Sequence, residues 1–213
     1  MKLYGALLSP YVRKAALVLA EKGLDYDLAN FRGQDGLLPE FLAISPFGKM
    51  PALLDGDFAL ADSSAIAAYL EAEYPQPSLY PASPRGIGRA IWFDEYADTI
   101  LSASGLKVLF NRFVGPKLLG VAGDEALAIQ GESELPLLYE YLESVTPGDG
   151  WLVGDQFSIA DIAVASMIRS LSYVNVEPKA AQYPQISKWY ARICARPAWQ
   201  NVAEQEAKFK LPE

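Results

Sequence analysis

The chain has 213 residues, of which 51% are apolar, 12% are aromatic and 21% are charged. This composition supports a globular protein with a sizeable core, excludes a disordered chain, and leaves room for one domain or two compact ones. The net charge of −8 and the lack of a Lys/Arg block argue against nucleic acid and against an anionic membrane surface as partners.

The reactive side chains restrict the chemistry further. The chain has one cysteine, Cys194, and no histidine. Internal disulfides and a cysteine-based metal cluster are therefore excluded, and the commonest general base is missing, so we expect no metal. Chemistry must then use a hydroxyl, a carboxylate, a backbone group or a thiol carried in by a cofactor. No signal sequence or membrane-spanning segment is recognisable, and we expect a cytoplasmic protein.

The first elements in chain order indicate a βαβ unit. Residues 2–5 predict a short strand, and Ser9 and Pro10 open a helix as a favoured N-cap and first helical residue. The helix ends at Gly23, and residues 24–29 alternate apolar and acidic side chains, as in a half-buried strand. The charged residues of this helix lie largely outside its apolar face: Arg13, Lys14, Glu21 and Lys22.

The next segment predicts, in order, a polar stretch, a short helix, a loop rich in Pro and Gly, and the two strands of a hairpin. Their ranges are 32–36, 39–43, 45–51, 52–54 and 58–60. The hairpin is indicated by Asp55 and Gly56, because Asp-Gly suits a tight turn. Asp62 then caps a further helix.

Four prolines between residues 75 and 84 mark a linker, because they exclude helix and central strand. We expect an α/β domain at 1–76, a linker at 77–85 and a second domain at 86–213. The second domain has helical periodicity without strand alternation, which predicts an all-α bundle. Its helical segments lie near 86–112, 124–145, 158–174 and 184–205. The junction of two such domains favours a ligand cleft.

Two features of the second domain are interpreted as structural. Ser158 and Asp161 have the spacing of a capping box, with Phe157 and Ile162 as its hydrophobic staple, so Asp161 is not a catalytic acid. Cys194 lies among aromatic and aliphatic residues on a helix, and we expect it to be packed rather than reactive.

Several motifs follow one another in a recognisable order: Ser9-Pro10-Tyr11-Val12-Arg13-Lys14, Glu21-Lys22-Gly23-Leu24, Ser45-Pro46-Phe47-Gly48-Lys49-Met50-Pro51, Asp62-Ser63-Ser64-Ala65-Ile66 and Phe157-Ser158-Ile159-Ala160-Asp161. This order resembles the cytosolic glutathione transferases, in particular serine-type, phi/theta-like members of bacterial kind. The resemblance implies a thioredoxin-like α/β domain that binds glutathione as co-substrate, without a metal. It also implies an all-α bundle that binds an apolar electrophile, and a homodimer.

The resemblance implies that the Ser9 hydroxyl donates a hydrogen bond to the glutathione sulfur. A thiol with a pKa near ~8.5 is mostly protonated at neutral pH, and only the thiolate is a good nucleophile. A hydrogen bond to a charged group contributes about 1.5–3 kcal/mol, or roughly one to two pKa units, and the helix N-terminus adds to this. Tyr11 competes for the role, and the structural alternative for Ser9 is an ordinary N-cap.

Further glutathione contacts are implied by the same resemblance. Met50 offers its backbone N–H and C=O in the manner of an added strand, and Pro51 is expected to be cis. Asp62 and Ser63 hold the γ-glutamyl end, where Ser63 and the free amides of its helix receive the carboxylate. A His-Lys pair common before the short helix is absent here, and Gly and Leu stand in its place. The candidates to replace it are Arg32, Gln34 and Lys49.

On the electrophile side, the resemblance assigns a pocket wall to the first long helix of the second domain, and we select Tyr96, Asn111 and Arg112. The predicted function is conjugation of the glutathione thiolate to an apolar electrophile, or reduction of a peroxide. Two alternatives stay open. One is a non-catalytic binding or regulatory protein of the stringent-starvation type, and the other uses glutathione for isomerisation, reductive dehalogenation or ether cleavage.

Overall fold

The N-terminal part of the chain contains a four-stranded mixed sheet in the computed structural model, which describes residues 1–209. Its strands, in the spatial order β2-β1-β5-β6, are β1 (Lys2–Tyr4), β2 (Asp27–Ala29), β5 (Ala52–Asp55) and β6 (Phe58–Ala61). β1 pairs in parallel with β2 and antiparallel with β5, and β5 and β6 form the predicted hairpin. A separate two-stranded sheet consists of β3 (Arg32–Gly33) and β4 (Gly36–Leu37).

Helices cover both faces of the larger sheet: α1 (Pro10–Glu21), α2 (Pro39–Ile44) and α3 (Ser63–Glu73). Successive strand residues point to opposite faces, and this alternation divides the core. Leu3 and Leu53 pack into the cluster that contains α1 and α3, whereas Tyr4 and Ala52 pack with Phe41 of α2. The order and packing of these elements confirm the thioredoxin-like α/β prediction.

Two segments differ from the sequence predictions. The half-buried strand expected from residue 24 begins at Asp27, because the Leu24 N–H donates to the Leu19 C=O at 2.9 Å and keeps the chain in the last turn of α1. The polar stretch at 32–36 forms the β3–β4 hairpin, which is closed by a 3.0 Å hydrogen bond from Leu38 N–H to Phe31 C=O.

The rest of the described chain is helical, which confirms the all-α prediction. A long helical segment contains α4 (Pro84–Glu95), a π-helical stretch (Tyr96–Leu101), α5 (Ser102–Leu109) and a second π-helical stretch (Phe110–Leu119). It is followed by α6 (Glu125–Val145), α7 (Ile159–Leu171), a short 3₁₀ turn (Ser172–Val174), α8 (Pro184–Cys194) and α9 (Pro197–Ala207). The last predicted helix is divided in two because Pro197 begins a new helix and cannot continue α8.

The centre of the helical part is α7, whose residues are almost all buried. Ser158 and Asp161 form the predicted capping box, and Asp161 also accepts hydrogen bonds from Leu152 N–H and Trp189 Nε1–H. Cys194 is half-buried, and burial raises the pKa of its thiol. These contacts agree with the structural interpretation of both residues.

Two cations of α1 are buried, although the helical wheel places them outside the apolar face. Arg13 and Lys14 are each 1% exposed, because α1 also packs against α7 and α9 of the helical part. Arg13 pairs with Glu206 of α9, and Lys14 pairs with Asp94 of α4 and with Asp98 of the first π-helical stretch. Within residues 1–209, no helix combines the length and hydropathy needed to cross a membrane.

Candidate active site

A cavity of about 420 Å³ lies where the start of α1 meets the long helical segment. Four of the residues selected from the sequence line it: Ser9, Tyr11, Arg32 and Met50. The opposite wall is aliphatic and aromatic, and consists of Leu106, Leu109, Phe113, Val114, Leu118 and Leu119. The cavity therefore joins a polar edge to an apolar wall.

Ser9 occupies the N-cap position of α1 without using its side chain as a cap. Its C=O accepts the Arg13 N–H at 3.0 Å, but its hydroxyl makes no capping hydrogen bond. Within residues 1–209 the Ser9 hydroxyl has no hydrogen-bond partner, so the ordinary side-chain cap considered for Ser9 is not formed. The half-buried hydroxyl is free to bind a ligand at a helix N-terminus, where partial positive charge favours anions.

Tyr11 lines the same cavity from the first turn of α1. Its hydroxyl lies 3.4 Å from the main-chain oxygen of Asp98, towards the helical part of the chain. Burial raises the pKa of Tyr11, and a hydrogen bond with Ser102 partly opposes this. The Tyr11 hydroxyl thus already has a main-chain acceptor, which makes Tyr11 the less available donor to a thiolate.

The loop before β5 presents the main chain of Met50. The Ser45 hydroxyl donates to the Lys49 C=O at 2.6 Å and accepts from the Lys49 N–H at 3.2 Å. The Pro51 C=O accepts the Asp62 N–H at 3.3 Å, and the Met50–Pro51 peptide bond is cis as expected. Met50 N–H and C=O have no hydrogen-bond partner within residues 1–209, so both remain available to an extended peptide.

The start of α3 differs in one respect from the prediction. Asp62 Oδ1 accepts hydrogen bonds from Ser64 N–H at 2.9 Å and Ala65 N–H at 3.0 Å. Two of the helix amides that we expected to receive a ligand carboxylate are therefore occupied by the cap. The Ser63 amide lies immediately before these two amides in the sequence, and Ser63 itself is buried.

The three candidates for the missing His-Lys pair are all exposed. Arg32 lies at the cavity, whereas Gln34 lies in the turn between β3 and β4 and does not line it. Lys49 lies beside Met50 in the loop. Within residues 1–209, the side chains of Arg32 and Lys49 form no ion pair, so neither charge is neutralised by the protein.

The predicted pocket wall of Tyr96, Asn111 and Arg112 is corrected by the structure, because none of these residues lines the cavity. Tyr96 is 1% exposed and donates to the Leu138 C=O at 2.8 Å. Asn111 donates to the Lys107 C=O and accepts from the Asp124 N–H, both at 2.8 Å. Arg112 forms ion pairs on the surface with Glu125 and Glu132.

The residues that do form the wall carry a signal that our sequence analysis missed. Leu106, Leu109 and Phe113 recur at helical spacing and line the same side of the cavity. Asn111 and Arg112 fall between them in the sequence and hence on another face of the helix. The apolar period was therefore a better guide to the wall than the polarity of individual side chains.

A buried charge cluster lies beside the site. Lys14 Nζ is 2.7 Å from Asp94 Oδ1, 2.6 Å from Asp98 Oδ2 and 2.9 Å from Ser64 Oγ. Burial by itself would lower the pKa of Lys14, but the two carboxylates raise it above the usual value. Burial raises the pKa of Asp98, and Lys14 opposes this effect. The cluster connects α1, the start of α3 and the long helical segment.

No group of three or more carboxylate or cysteine side chains within residues 1–209 is arranged to hold a metal ion.

Residues 3–78 match the family model for the glutathione S-transferase N-terminal domain, and residues 101–197 match that for the C-terminal domain. The chain is 34% identical to glutathione S-transferase 3 of Zea mays, across 100% of the chain and 96% of the relative. It is 31% identical to a glutathione S-transferase of Hyoscyamus muticus, across 96% and 98%. The chain belongs to the cytosolic glutathione S-transferase family.

A solved structure of glutathione S-transferase I bound with the ligand lactoylglutathione is also similar. Its TM-score is 0.84 and its sequence identity is 28%, across 95% of this chain and 98% of that chain. The curated relatives named above are plant proteins. They give no support to the bacterial kind that the sequence analysis expected.

Proposed function

We propose that this protein is a glutathione transferase that conjugates the glutathione thiolate to an apolar electrophile held in the cavity. The observation that carries the proposal is that, within residues 1–209, neither the Ser9 hydroxyl at the start of α1 nor the Met50 main chain has a hydrogen-bond partner, and both residues line the same cavity. Relatives named glutathione S-transferases along the whole chain support it. They favour the enzyme over a non-catalytic regulatory protein.

In this proposal, Ser9 donates its hydroxyl hydrogen to the glutathione sulfur. The hydrogen bond and the N-terminal dipole of α1 both favour the charged form of the sulfur, and so lower the pKa of the thiol. The proton leaves to solvent. The thiolate attacks the electrophilic carbon, a carbon–sulfur bond forms, and the leaving group departs with the electron pair of its broken bond. With a peroxide, the sulfur attacks one oxygen, the O–O bond breaks and the other oxygen leaves as an alcohol after protonation. The sulfenic acid so formed reacts with a second glutathione to give glutathione disulfide and water.

The tripeptide is proposed to lie along the Met50 main chain as an added strand. Its γ-glutamyl end meets Asp62 and Ser63, and its glycine carboxylate meets the charges of Arg32 or Lys49, with Gln34 as a neutral alternative. Pro51 connects the Met50 loop to the start of α3, because its C=O accepts a hydrogen bond from the Asp62 N–H. The bound lactoylglutathione of the similar solved structure supports a glutathione derivative as ligand.

Replacing Asp62 by alanine tests this arrangement. The change removes the cap of α3 and is expected to lower the free energy of unfolding by about 1 kcal/mol. It is also expected to raise KM for glutathione several-fold, because the start of α3 loses the carboxylate that faces the γ-glutamyl amine. Urea unfolding and initial rates measure the two effects. As a control, Asp124→Ala removes the equivalent cap of α6 and should lower stability without changing KM for glutathione.

Because this wall is apolar, the second substrate in our proposal is an apolar electrophile. The free energy of binding to such a wall becomes more favourable as more apolar surface of the compound is removed from water. The direct test is a titration with glutathione followed by a conjugation assay with chlorodinitrobenzene. Binding with turnover supports the proposal. Absence of glutathione binding would favour the regulatory alternative. Binding without turnover would favour isomerisation, dehalogenation or ether cleavage.

We further propose a homodimer. Phe47 is 87% exposed in the loop that carries Met50, and Leu137 on α6 is 72% exposed. Leu137 lies one turn before Tyr141, which accepts a 2.9 Å hydrogen bond from Trp92 of α4, so α4 and α6 share an exposed apolar face. Burial of such a face against a second copy would remove its apolar surface from water.

The change Phe47→Asp is expected to reduce the dimer to a monomer, because a charge would be placed in the interface. Light scattering should show that the mass is halved. The matched change Phe58→Asp, at another exposed phenylalanine of the same domain, should leave the mass unchanged. A variant Phe47→Asp that keeps the wild-type mass would contradict the assignment of Phe47 to the interface.

We also propose four finer assignments. The chain divides into domains at 1–76 and 86–213 with a linker at 77–85, and it belongs among the serine-type, phi-like members of its family. Its compartment is the cytoplasm, and its expected partners are small molecules and a second copy of itself.

A further inference from the structure

Two walls of the cavity are connected to Arg13 by buried hydrogen bonds. Arg13 follows Ser9 by one helical turn, and its guanidinium is buried. Its Nη2 donates to Tyr173 Oη and to Glu206 Oε2, both at 2.7 Å, and its Nε donates to Glu206 Oε2 at 2.9 Å. The remaining donor, Nη1, binds α7 at Ser166 O and Ser170 Oγ.

Two of the partners of Arg13, Tyr173 and Glu206, each contact an aromatic residue that lines the cavity. The Tyr173 ring stacks on Phe113, with ring centroids 5.2 Å apart and an interplanar angle of 17°. The Glu206 C=O accepts the Phe209 N–H at 3.0 Å. Both Phe113 and Phe209 line the cavity. Neither Tyr173 nor Glu206 lines it.

Glu206 is the charged centre of this cluster. It forms 2.7 Å ion pairs with Arg13 and with Arg169, and its side chain is buried. Burial by itself would raise the pKa of Glu206, but Arg13 and the hydrogen bonds of Tyr173 and Arg169 lower it below its usual value. Glu206 is therefore ionised at neutral pH. The guanidinium groups of Arg13 and Arg169 also stand over the Tyr173 ring, at 5.9 Å and 5.2 Å from its centroid.

We propose that Glu206 is a positioning residue for the electrophile: through Arg13 and Tyr173 it fixes Phe113, and through its own main chain it fixes Phe209. Two walls of the cavity are thereby held against α1 at a set distance from Ser9. Glu206 does not touch the substrate. The inference rests on the proposed function of the cavity, and it adds a determinant of electrophile affinity that lies outside the cavity lining.

The test uses Glu206→Gln, which keeps the shape of the side chain and removes its charge. KM for chlorodinitrobenzene is expected to rise about fivefold, within the range by which residues without ligand contact alter binding. KM for glutathione is expected to stay within about twofold, because Met50, Asp62 and Ser63 belong to other elements. The dissociation constant of an apolar fluorescent dye, anilinonaphthalene sulfonate, should rise in parallel, which measures the cavity without catalysis.

Two further variants separate positioning from a structural role. Glu204→Gln makes the same charge change at an exposed residue of α9 and should leave both KM values and dye binding unchanged. Phe209→Ala removes one of the side chains through which Glu206 is proposed to act. In a double-mutant cycle, the combined effect of Glu206→Gln and Phe209→Ala on dye binding should be clearly smaller than the sum of the two single effects.

If Glu206→Gln does not fold, Tyr173→Phe replaces it, because this change keeps the stacked ring and removes the hydroxyl that binds Arg13. A rise in KM for chlorodinitrobenzene with unchanged KM for glutathione would then support the inference. Wild-type values in the folded variant, or additive effects in the cycle, would overturn it. Failure of the wild-type protein to bind glutathione is a separate result, which would overturn the proposed function itself.

Discussion

Replacing Ser9 by alanine is expected to lower kcat for conjugation at neutral pH by about one to two orders of magnitude. The estimate follows from the loss of a hydrogen bond to a charged sulfur, about 1.5–3 kcal/mol, with each 1.36 kcal/mol worth tenfold in rate. KM for glutathione should change by less than about threefold, because most of the tripeptide is proposed to contact Met50, Asp62 and Ser63. Steady-state rates at saturating electrophile give both values.

The Ser9→Ala change should also alter the pH dependence of the conjugation rate. The Ser9 hydrogen bond favours the thiolate and so lowers the pKa of bound glutathione; its removal should raise that pKa by roughly one to two units. Activity of Ser9→Ala should therefore recover as the pH increases. Ultraviolet absorbance of the bound thiolate, titrated in wild type and variant, measures the same shift without turnover.

Tyr11→Phe is the matched control, because it removes the other hydroxyl of α1 that lines the cavity. Its hydroxyl already has an acceptor, the main-chain oxygen of Asp98 at 3.4 Å. We therefore expect a small effect on kcat and no shift in the thiol titration. Undiminished conjugation by Ser9→Ala would transfer the role to Tyr11 or to the backbone amides of α1.

Replacing Lys14 by methionine is expected to lower the free energy of unfolding by about 3–5 kcal/mol. Methionine retains much of the volume of the side chain, but it leaves the carboxylates of Asp94 and Asp98 without their cation, and loss of one partner from a buried ion pair has this magnitude. The two carboxylates belong to the helical part and Lys14 to α1. Chemical denaturation at constant pH measures the change.

The size of this loss should depend on pH. Without Lys14 the Asp98 carboxyl, whose pKa burial already raises, takes up a proton more readily in the folded state, so its folded pKa lies further above that of the unfolded chain. The variant therefore gains stability relative to wild type as the pH falls through these pKa values, and the difference is smallest below about pH 4. Lys188→Met, at an exposed lysine of α8, is the matched control. An equal loss in both variants would contradict the role of the cluster.

Lys14→Met is also expected to raise KM for glutathione, because Lys14 Nζ binds Ser64 Oγ in the first turn of α3. The adjacent residues Asp62 and Ser63 are the proposed contacts of the γ-glutamyl end. Lys14 and Arg13 are neighbours in the sequence and point into different clusters. One lies on the glutathione side of the site and the other on the electrophile side.

The sequence correctly predicted those structural features of the site that depend on a few neighbouring residues. Serine and proline begin α1, Gly56 and Asp57 form the turn of the predicted hairpin, and Asp62 caps α3. Each of these is decided by a few neighbouring residues through dihedral preferences and short hydrogen bonds. The functional roles of Ser9, Met50 and Ser63 remain predictions, which the experiments above address.

The electrophile wall was predicted incorrectly because it depends on rotation of the chain over a long helix. The two π-helical stretches widen the turns, and each added residue rotates those that follow by about 100° around the axis. Tyr96, at the start of the first stretch, packs in the core, and Arg112, beyond that stretch, lies among the surface carboxylates of α6. The wall belongs to residues such as Phe113, which the sequence analysis did not select.

The sequence by itself determined the order of most helices and strands, the capping box of α7, and the motifs at Ser9, Met50 and Asp62 that indicate the family. These features arise from interactions within a few residues. The tertiary structure alone decided that Arg13 and Lys14 are buried and which carboxylates they meet, since Glu206 lies 193 positions from Arg13. A charged side chain on one helix is placed in solvent or in the core by the elements that pack on it, and local periodicity contains no information about them.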